Sequence, residues 1–417
     1  MRSITDHEAY AVLKIRDFRL FIFFRFFMTI AIQMQSLVVG WQMYELTRDP
    51  LALGLIGLAE AIPFMAVALY SGHVADLYRR KTIILAFLLF FLLGTGFLLV
   101  FSFQGLGIIA ALGVLPIYLV VAISGISRSF IYPATVALMA QIVPRHLYPN
   151  SSTWNSMVWH IAAITGPAIG GLIYGFLGVN AAYVTVVLFV IVSVILLGFV
   201  KNLPVPPTPP GERLYPRLVS GLRFVFRNQI LLGSMSLDMF AVLFGGAVAM
   251  LPIFAAEILM VGPQGLGFMR AAPMAGAVIM SLLLAYRPPL ARAGKWLMVS
   301  VAGFGLSIIL FALSENFFLS LGLLFMSGMF DNISVVIRST TMQLITPDEM
   351  RGRVASVNSI FIGSSNEIGS FESGLVAKIM GLVPSVIFGG GMTLLIVAIT
   401  ARFAPKLRKM DLRKVTG

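Results

Sequence analysis

The feature that most constrains this chain is a succession of apolar runs, each about 20 residues long, that recurs from end to end. An α-helix needs about 20 residues to cross the ~30 Å hydrocarbon core of a bilayer. Inside lipid every backbone N–H and C=O must be satisfied within the protein, and a helix does this on its own. Twelve such runs can be counted, at about 20–45, 52–75, 82–103, 107–141, 152–178, 181–200, 230–258, 264–286, 295–314, 317–345, 354–381 and 384–403. The expected fold class is therefore an all-α integral membrane protein with twelve transmembrane helices. Composition agrees: 59% of the 417 residues are hydrophobic and 11% are charged, too apolar a balance for a soluble chain of this length. The opening "MRSITDHEAYAVLKIRDFR" is charged and lacks a short apolar core followed by a cleavage site, so the first span is expected to be retained.

A net charge of +13 would suggest nucleic acid in a soluble protein, but here its distribution gives another reading. Lys and Arg fill alternate connections: Lys14 to Arg19, Arg79 to Lys81, Arg145, Lys201 to Arg227, Arg287 to Lys295, Arg351 and Arg353, and the tail from Arg402 to Lys414. The other connections hold Arg48 and Lys378. By the positive-inside rule both termini are expected in the cytoplasm and the chain in the plasma (inner) membrane, and no basic module is left for nucleic acid. With no cysteine, thiol catalysis, disulfides and thiolate metal sites are excluded.

The connection "KNLPVPPTPPGERLYPRLVSGLRFVFRNQ" divides the chain into residues 1–200, a linker at 201–229 and residues 230–417. Its prolines favour an extended spacer, and from Leu214 apolar residues recur at helical spacing among arginines, as in an amphipathic helix on the inner leaflet. The flanking halves repeat. Pro144 and Pro347 stand 203 residues apart, and the same shift pairs Gly125 with Gly328, Asn155 with Asn358, Ser156 with Ser359, Gly166 with Gly369 and Gly171 with Gly374. A shift of 213 pairs Pro50 with Pro263 and Gly54 with Gly267. Two six-helix halves repeating in the same direction are a transporter architecture, with substrate held near the midplane between them.

The stretch "GHVADLYRRK" supplies Gly72, Asp76, Arg80 and Lys81 in a G-x-x-x-D-R-x-G-R-R-like pattern from which Leu77 and Arg79 depart. "AAITGPAIGG" carries Gly166, Pro167, Gly170 and Gly171, with Ala162 where glycine is usual, and Arg128 lies in "GISRSF". In these residues the chain resembles the major facilitator superfamily over its whole length, and is similar to the drug:proton antiporter branch that includes siderophore exporters. The resemblance implies a cytoplasmic gate in which Asp76 meets the positive N-terminal end of the eleventh helix. It also implies an antiporter-type fifth helix, where small residues let helices approach and the proline frees a carbonyl. Pro289 and Ala285 stand where the second half would repeat Asp76 and Gly72, so the gate is expected to be asymmetric.

Ionisable side chains inside spans are costly and mark function by default. The acids are Glu60, Asp238, Asp331, Glu367 and Glu372, with Glu45 and Glu257 near span ends; the bases are Arg25, Arg128, Arg270 and Arg338. Arg128 and Asp331 are equivalent in the repeat and opposite in sign, so they are a candidate charge pair. Glu367 and Glu372 lie about 140° apart around their helix. Glu367, at mid-depth on a stripe with Gly363, Ser364, Ser370 and Gly374, is the first candidate for a proton carrier, with Glu372, Asp238, Glu60 and Asp331 behind it. His160 is read as a packed or cavity-lining residue.

No P-loop, H-E-x-x-H or nucleophile elbow is present, so an enzyme is not expected and energy must come from a gradient. The expected function is alternating-access, proton-coupled export of an amphipathic small molecule, a drug or siderophore-like metabolite. Flipping of a lipid-like substrate, or import with another ion, is the alternative. No cofactor and no metal are expected; the partners are substrate, protons and the bilayer, and the chain is expected to act as a monomer.

Overall fold

The computed structural model describes residues 8–103, 111–204, 214–286, 289, 291–347 and 350–414, and no strand occurs among them. The long helices are α1 (Arg16–Thr47), α2 (Pro50–Leu77), α3 (Arg80–Phe101), α4 (Leu115–Ile142), α5 (Tyr148–Gly198) and α6 (Leu214–Arg227). They continue with α7 (Gln229–Gly245), α8 (Gly262–Tyr286), α9 (Ala293–Ala312), α10 (Phe317–Ile345), α11 (Arg351–Met380) and α12 (Leu382–Phe403).

Local chemistry sets several of their ends. Asn228 caps α7 by accepting from the N–H groups of Ile230 and Leu231, and Asn316 caps α10 by accepting from Leu319. Proline stands in the first turn of α4 and α5, where a missing N–H costs nothing. Gly178 (φ 84°, ψ 175°) bends α5, and Gly381 (φ 90°, ψ 163°) separates α11 from α12. Only glycine adopts such angles without strain. These two glycines stand 203 residues apart, so the repeat extends to them.

Ten helices among the described residues are long and apolar enough to cross a membrane, against the twelve runs expected. The difference lies at two places. The 51 residues of α5 take in two expected runs on either side of Gly178. The helix α11 carries Glu367, Glu372 and six serines, which dilute its apolar character below the others. The outer surface suits lipid: on α3, Leu89, Phe90, Leu93, Phe97 and Val100 form an exposed apolar stripe that water would not tolerate.

The described chain forms two compact units. The first comprises Met1–Leu46, Ala59–Pro209 and Gly262–Gly267; the second comprises Thr47–Leu58, Pro210–Val261 and Phe268–Gly417. In the first unit, buried glutamines tie α1 to its neighbours. Gln35 accepts from Thr95 (2.7 Å) and donates to Ser124 (3.3 Å), while Gln42 accepts from Tyr183 (2.6 Å) and donates to Ser102 (3.3 Å). Each amide is satisfied at both ends, as burial in a membrane bundle requires.

The second unit packs α7, α9 and α10 around a core that takes in the tail, with Leu407, Met410 and Leu412 buried. A Cβ on Gly294 would lie 1.8 Å from the Leu407 carbonyl oxygen, so only glycine admits the tail there. Beyond Gly245 the seventh span loses its α-helical form. It continues as a 3-10 turn at Ala247–Met250 and ends in a π turn at Phe254–Ile258.

Candidate functional site

Charged side chains inside the first unit centre on α2 and α4. Gly125 brings α4 against α2, since a Cβ there would lie 2.5 Å from the Glu60 carbonyl oxygen. One turn along α4, the Arg128 guanidinium reaches back and forms an ion pair with the Glu60 carboxylate. On α1, the buried Arg25 donates from Nε to Asn155 Oδ1 on α5 at 3.3 Å.

The second unit repeats the backbone crossing with different chemistry. A Cβ on Gly328 would lie 1.9 Å from the Pro273 carbonyl oxygen, and Pro273 stands 213 residues after Glu60. Where the first unit has an acid on this crossing, the second has a proline. A buried ion pair lies instead between α7 and α10. Arg338 Nη2 meets Asp238 Oδ1 at 2.7 Å, with both side chains less than a tenth exposed. Asp331 is on α10 seven residues before Arg338, on the same helical face, and lies within electrostatic range of both Arg338 and Asp238. The ion pair is between Arg338 and Asp238, and Asp331 stands near it as a second carboxyl group.

The small residues of α5 divide between two neighbours. Gly166 and Gly170 face α1, where added Cβ atoms would lie 3.1 Å from the Ile30 carbonyl oxygen and 2.8 Å from Met34 Cγ. Gly171 faces the start of α8, with Pro263 O at 2.3 Å and Gly267 Cα at 2.9 Å from a Cβ. The second unit makes the equivalent crossing between α11 and α2: a Cβ on Gly374 would lie 2.7 Å from both Pro50 O and Gly54 Cα. Beside this crossing Lys378 donates to Asp49 Oδ2 at 2.7 Å, and that hydrogen bond holds the Asp49 carboxyl below its ordinary range.

The family described as "Transmembrane secretion effector" matches residues 7–416. The chain belongs to this family of major facilitator transporters. It is 26% identical over 395 residues to the enterobactin exporter EntS of Shigella flexneri and to that of Shigella dysenteriae serotype 1, covering 92% of each chain. The fold is that of a POT family transporter solved with 5-aminolevulinic acid (TM-score 0.74, 12% identity, 94% and 96% of the two chains covered). It is also that of a bacterial homolog to the human lysosomal transporter Spinster (TM-score 0.73, 13% identity, 95% and 97% covered). The protein is a multi-pass membrane transporter of the major facilitator type, as its motifs imply.

Within this transporter the candidate residues fall into separate groups. Arg128 forms an ion pair with Glu60, and Asp331 lies within electrostatic range of the Arg338–Asp238 pair. Glu367 is partly buried, and its carbonyl oxygen would lie 2.9 Å from a Cβ on Gly57 of α2. Glu372 is half-buried beside Ser373, whose hydroxyl donates to the Gly246 carbonyl where the seventh span departs from α-helix. Among the cytoplasmic motif residues, Asp76 lies in α2 with its side chain outside what is described. Gly72 has room, with nothing among the described residues within 4 Å of a Cβ. Arg80 opens α3, and Lys81 donates from Nζ to the Gly198 carbonyl at 2.7 Å and to Val200. A cation there sits on the negative end of α5. His160 accompanies Trp159 edge to face, with Nδ1 2.7 Å from the Ser156 carbonyl oxygen.

Two features escaped the sequence reading. Arg338 is the hub of the acidic cluster, and its seven-residue spacing from Asp331 was the available signal. Glu45 accepts from Trp41 Nε1 (2.7 Å) and from the Tyr174 hydroxyl; the i, i+4 spacing of Trp41 and Glu45 was the signal there.

Proposed function

We propose that this transporter exports an amphipathic small molecule in exchange for protons by alternating access, from the inner membrane of a cell with both of its termini in the cytoplasm. The observation that carries the reading is the cluster of Asp238, Asp331 and Arg338. Two carboxyl groups within range of one guanidinium in a membrane interior cannot all be charged without an uncompensated negative charge. A proton is the simplest counter-ion, and losing it when the site hydrates on one side is the event a proton-coupled carrier needs. This moves the first candidate from Glu367 to the aspartates, with Glu367, Glu372 and Glu60 behind them. The likeness to enterobactin exporters supports outward movement of a bulky amphipathic metabolite and a non-enzymatic role.

In this reading Asp76 serves the cytoplasmic gate. The test is transport in proteoliposomes under an imposed pH gradient, with a catecholate siderophore and a panel of cationic dyes. Asp331→Asn should lose gradient-driven transport and keep substrate counterflow. Full gradient-driven transport by neutral variants of Asp331, Asp238, Glu367, Glu372 and Glu60 would reject proton coupling.

A further inference from the structure

The amphipathic helix α6 does more than link the halves of the sequence. Its inner side is sealed to the start of α11: Val225 is fully buried with Met235, Val354 and Val357. Gly221 permits the approach, because a Cβ there would lie 2.9 Å from the Arg353 carbonyl oxygen. Arg353 Nη1 adds a hydrogen bond to Ser220 Oγ at 3.0 Å.

The other side stays open. Among the described residues, a groove of about 450 Å³ is lined by Ser220, Arg223, Phe224, Arg227, Asn228 and Met350, none of them acidic. Arg223 and Arg227 are one turn apart on α6, both exposed, and neither has an ion-pair partner among the described residues. Asn228 commits its side-chain oxygen to the α7 cap, which leaves its amide nitrogen as the donating end. Next to the arginines, Leu222 is 38% and Phe226 60% exposed on the same helix. Two cations and an amide donor over a floor of Phe224 and Met350, flanked by exposed apolar side chains, match one kind of ligand in both charge and polarity.

We infer that this groove binds the phosphate-bearing headgroup of an anionic phospholipid from the leaflet facing the linker, with an acyl chain lying along Leu222 and Phe226. Arg223 and Arg227 pair with the phosphate, Asn228 donates to its oxygens, and the apolar edge of α6 enters the interfacial region. A free inorganic anion would satisfy the arginines and make no use of Leu222 and Phe226. Lipid bound here clamps α6 onto α11, the helix that carries Glu367 and Glu372, so transport becomes dependent on anionic lipid. The inference stands independently of the coupling ion and substrate.

The test uses the full chain in nanodiscs of neutral phosphatidylcholine, titrated with phosphatidylglycerol and, separately, with inorganic phosphate, read by native mass spectrometry and by thermal unfolding. Phosphatidylglycerol should bind saturably to wild type. Replacing both arginines (Arg223→Gln with Arg227→Gln) should weaken it about thirtyfold, at roughly fivefold for each surface cation. The control Arg408→Gln with Lys409→Gln removes the same charge from the tail and should leave binding unchanged. Equal weakening by the control would mean that net charge alone attracts lipid. Inorganic phosphate binding as tightly as phosphatidylglycerol would replace the lipid with a free anion. If the arginine-to-glutamine variant does not fold, Phe226→Ser in the same titration decides, since it should weaken phosphatidylglycerol and leave phosphate unaffected. Absence of saturable binding to wild type would also overturn the site.

Discussion

Gly54 and Gly374 lie backbone against backbone: a Cβ on Gly54 would sit 3.0 Å from Gly374 Cα, and one on Gly374 2.7 Å from Gly54 Cα. Their repeat equivalents, Gly267 and Gly171, meet in the same way at 3.2 and 2.9 Å. An added methyl has no flexible side chain to displace at either crossing, so the backbones themselves must move, at about 1–3 kcal/mol for overpacking. Gly374→Ala and Gly171→Ala should each lower thermal stability in detergent. Gly72→Ala, with open space at its Cβ, should melt with wild type. A Gly374→Ala protein as stable as Gly72→Ala would show that the crossing is looser than its geometry.

The Asp49–Lys378 pair stands beside one of these crossings only, because Gly262 and Gly175 stand at the equivalent positions of the other. With side chains 49% and 33% exposed, the pair should contribute about 0.2–1 kcal/mol, less at high salt. The Asp49 carboxyl is lowered from its ordinary value of 3.8, first by the hydrogen bond from Lys378. A lowered folded-state pKa gives stability that is fully present above the ordinary value and lost as pH falls through the lowered one. The melting gap between wild type and Asp49→Asn should therefore be constant from about pH 5 to about pH 8 and close below 3.8. A gap that narrowed as pH rose from about 6 to about 8 would assign the effect to another group.

Lys81 belongs by sequence to the gate motif, yet its ammonium caps the end of α5 within its own unit. Free carbonyls at a helix C-terminus hold a cation by about 0.3–1 kcal/mol at the surface. Lys81→Met keeps the stem and removes the charge; it should lower the melting temperature, with Lys81→Arg restoring part of the loss. A Lys81→Met protein with wild-type stability and impaired transport would return this residue to gating alone.

These results separate what a sequence displays from what it conceals. The repeat was legible because glycines at close helix crossings and turns are fixed by backbone geometry. Spacing alone pairs Gly54 with Gly267 and Gly171 with Gly374, and Gly178 and Gly381 fit the shift of the second pair. The amphipathic pattern likewise located α6. Partners of the buried charges were not legible, because Glu60 and Arg128 lie on different helices and no periodicity records the register between spans. Equivalence in the repeat suggested Arg128 with Asp331, but side-chain partners follow local packing. Gly125 sets Arg128 over Glu60, whereas Pro273 stands at the equivalent crossing and Asp331 lies near the Arg338–Asp238 pair.

The cluster of Asp238, Asp331 and Arg338 makes a distinctive forecast about additivity. Removing one partner of an isolated buried ion pair costs about 3–5 kcal/mol, because the other charge is left uncompensated. Here Arg338 pairs with Asp238 at 2.7 Å and keeps Asp331 within range, so each aspartate can cover for the other. Asp238→Asn alone and Asp331→Asn alone should therefore each cost about 1 kcal/mol, far below the isolated-pair value. The double variant leaves the guanidinium buried with no carboxylate and should show the full loss of about 3–5 kcal/mol, well beyond the sum of the singles. Adding Arg338→Gln to the double variant should restore much of the stability, since no buried charge then remains in the cluster. Equilibrium unfolding of wild type and the four variants in one detergent measures the cycle. Additive losses, or a triple variant no more stable than the double, would show that the three side chains are separate residents of the helices and would remove the physical basis for a shared proton.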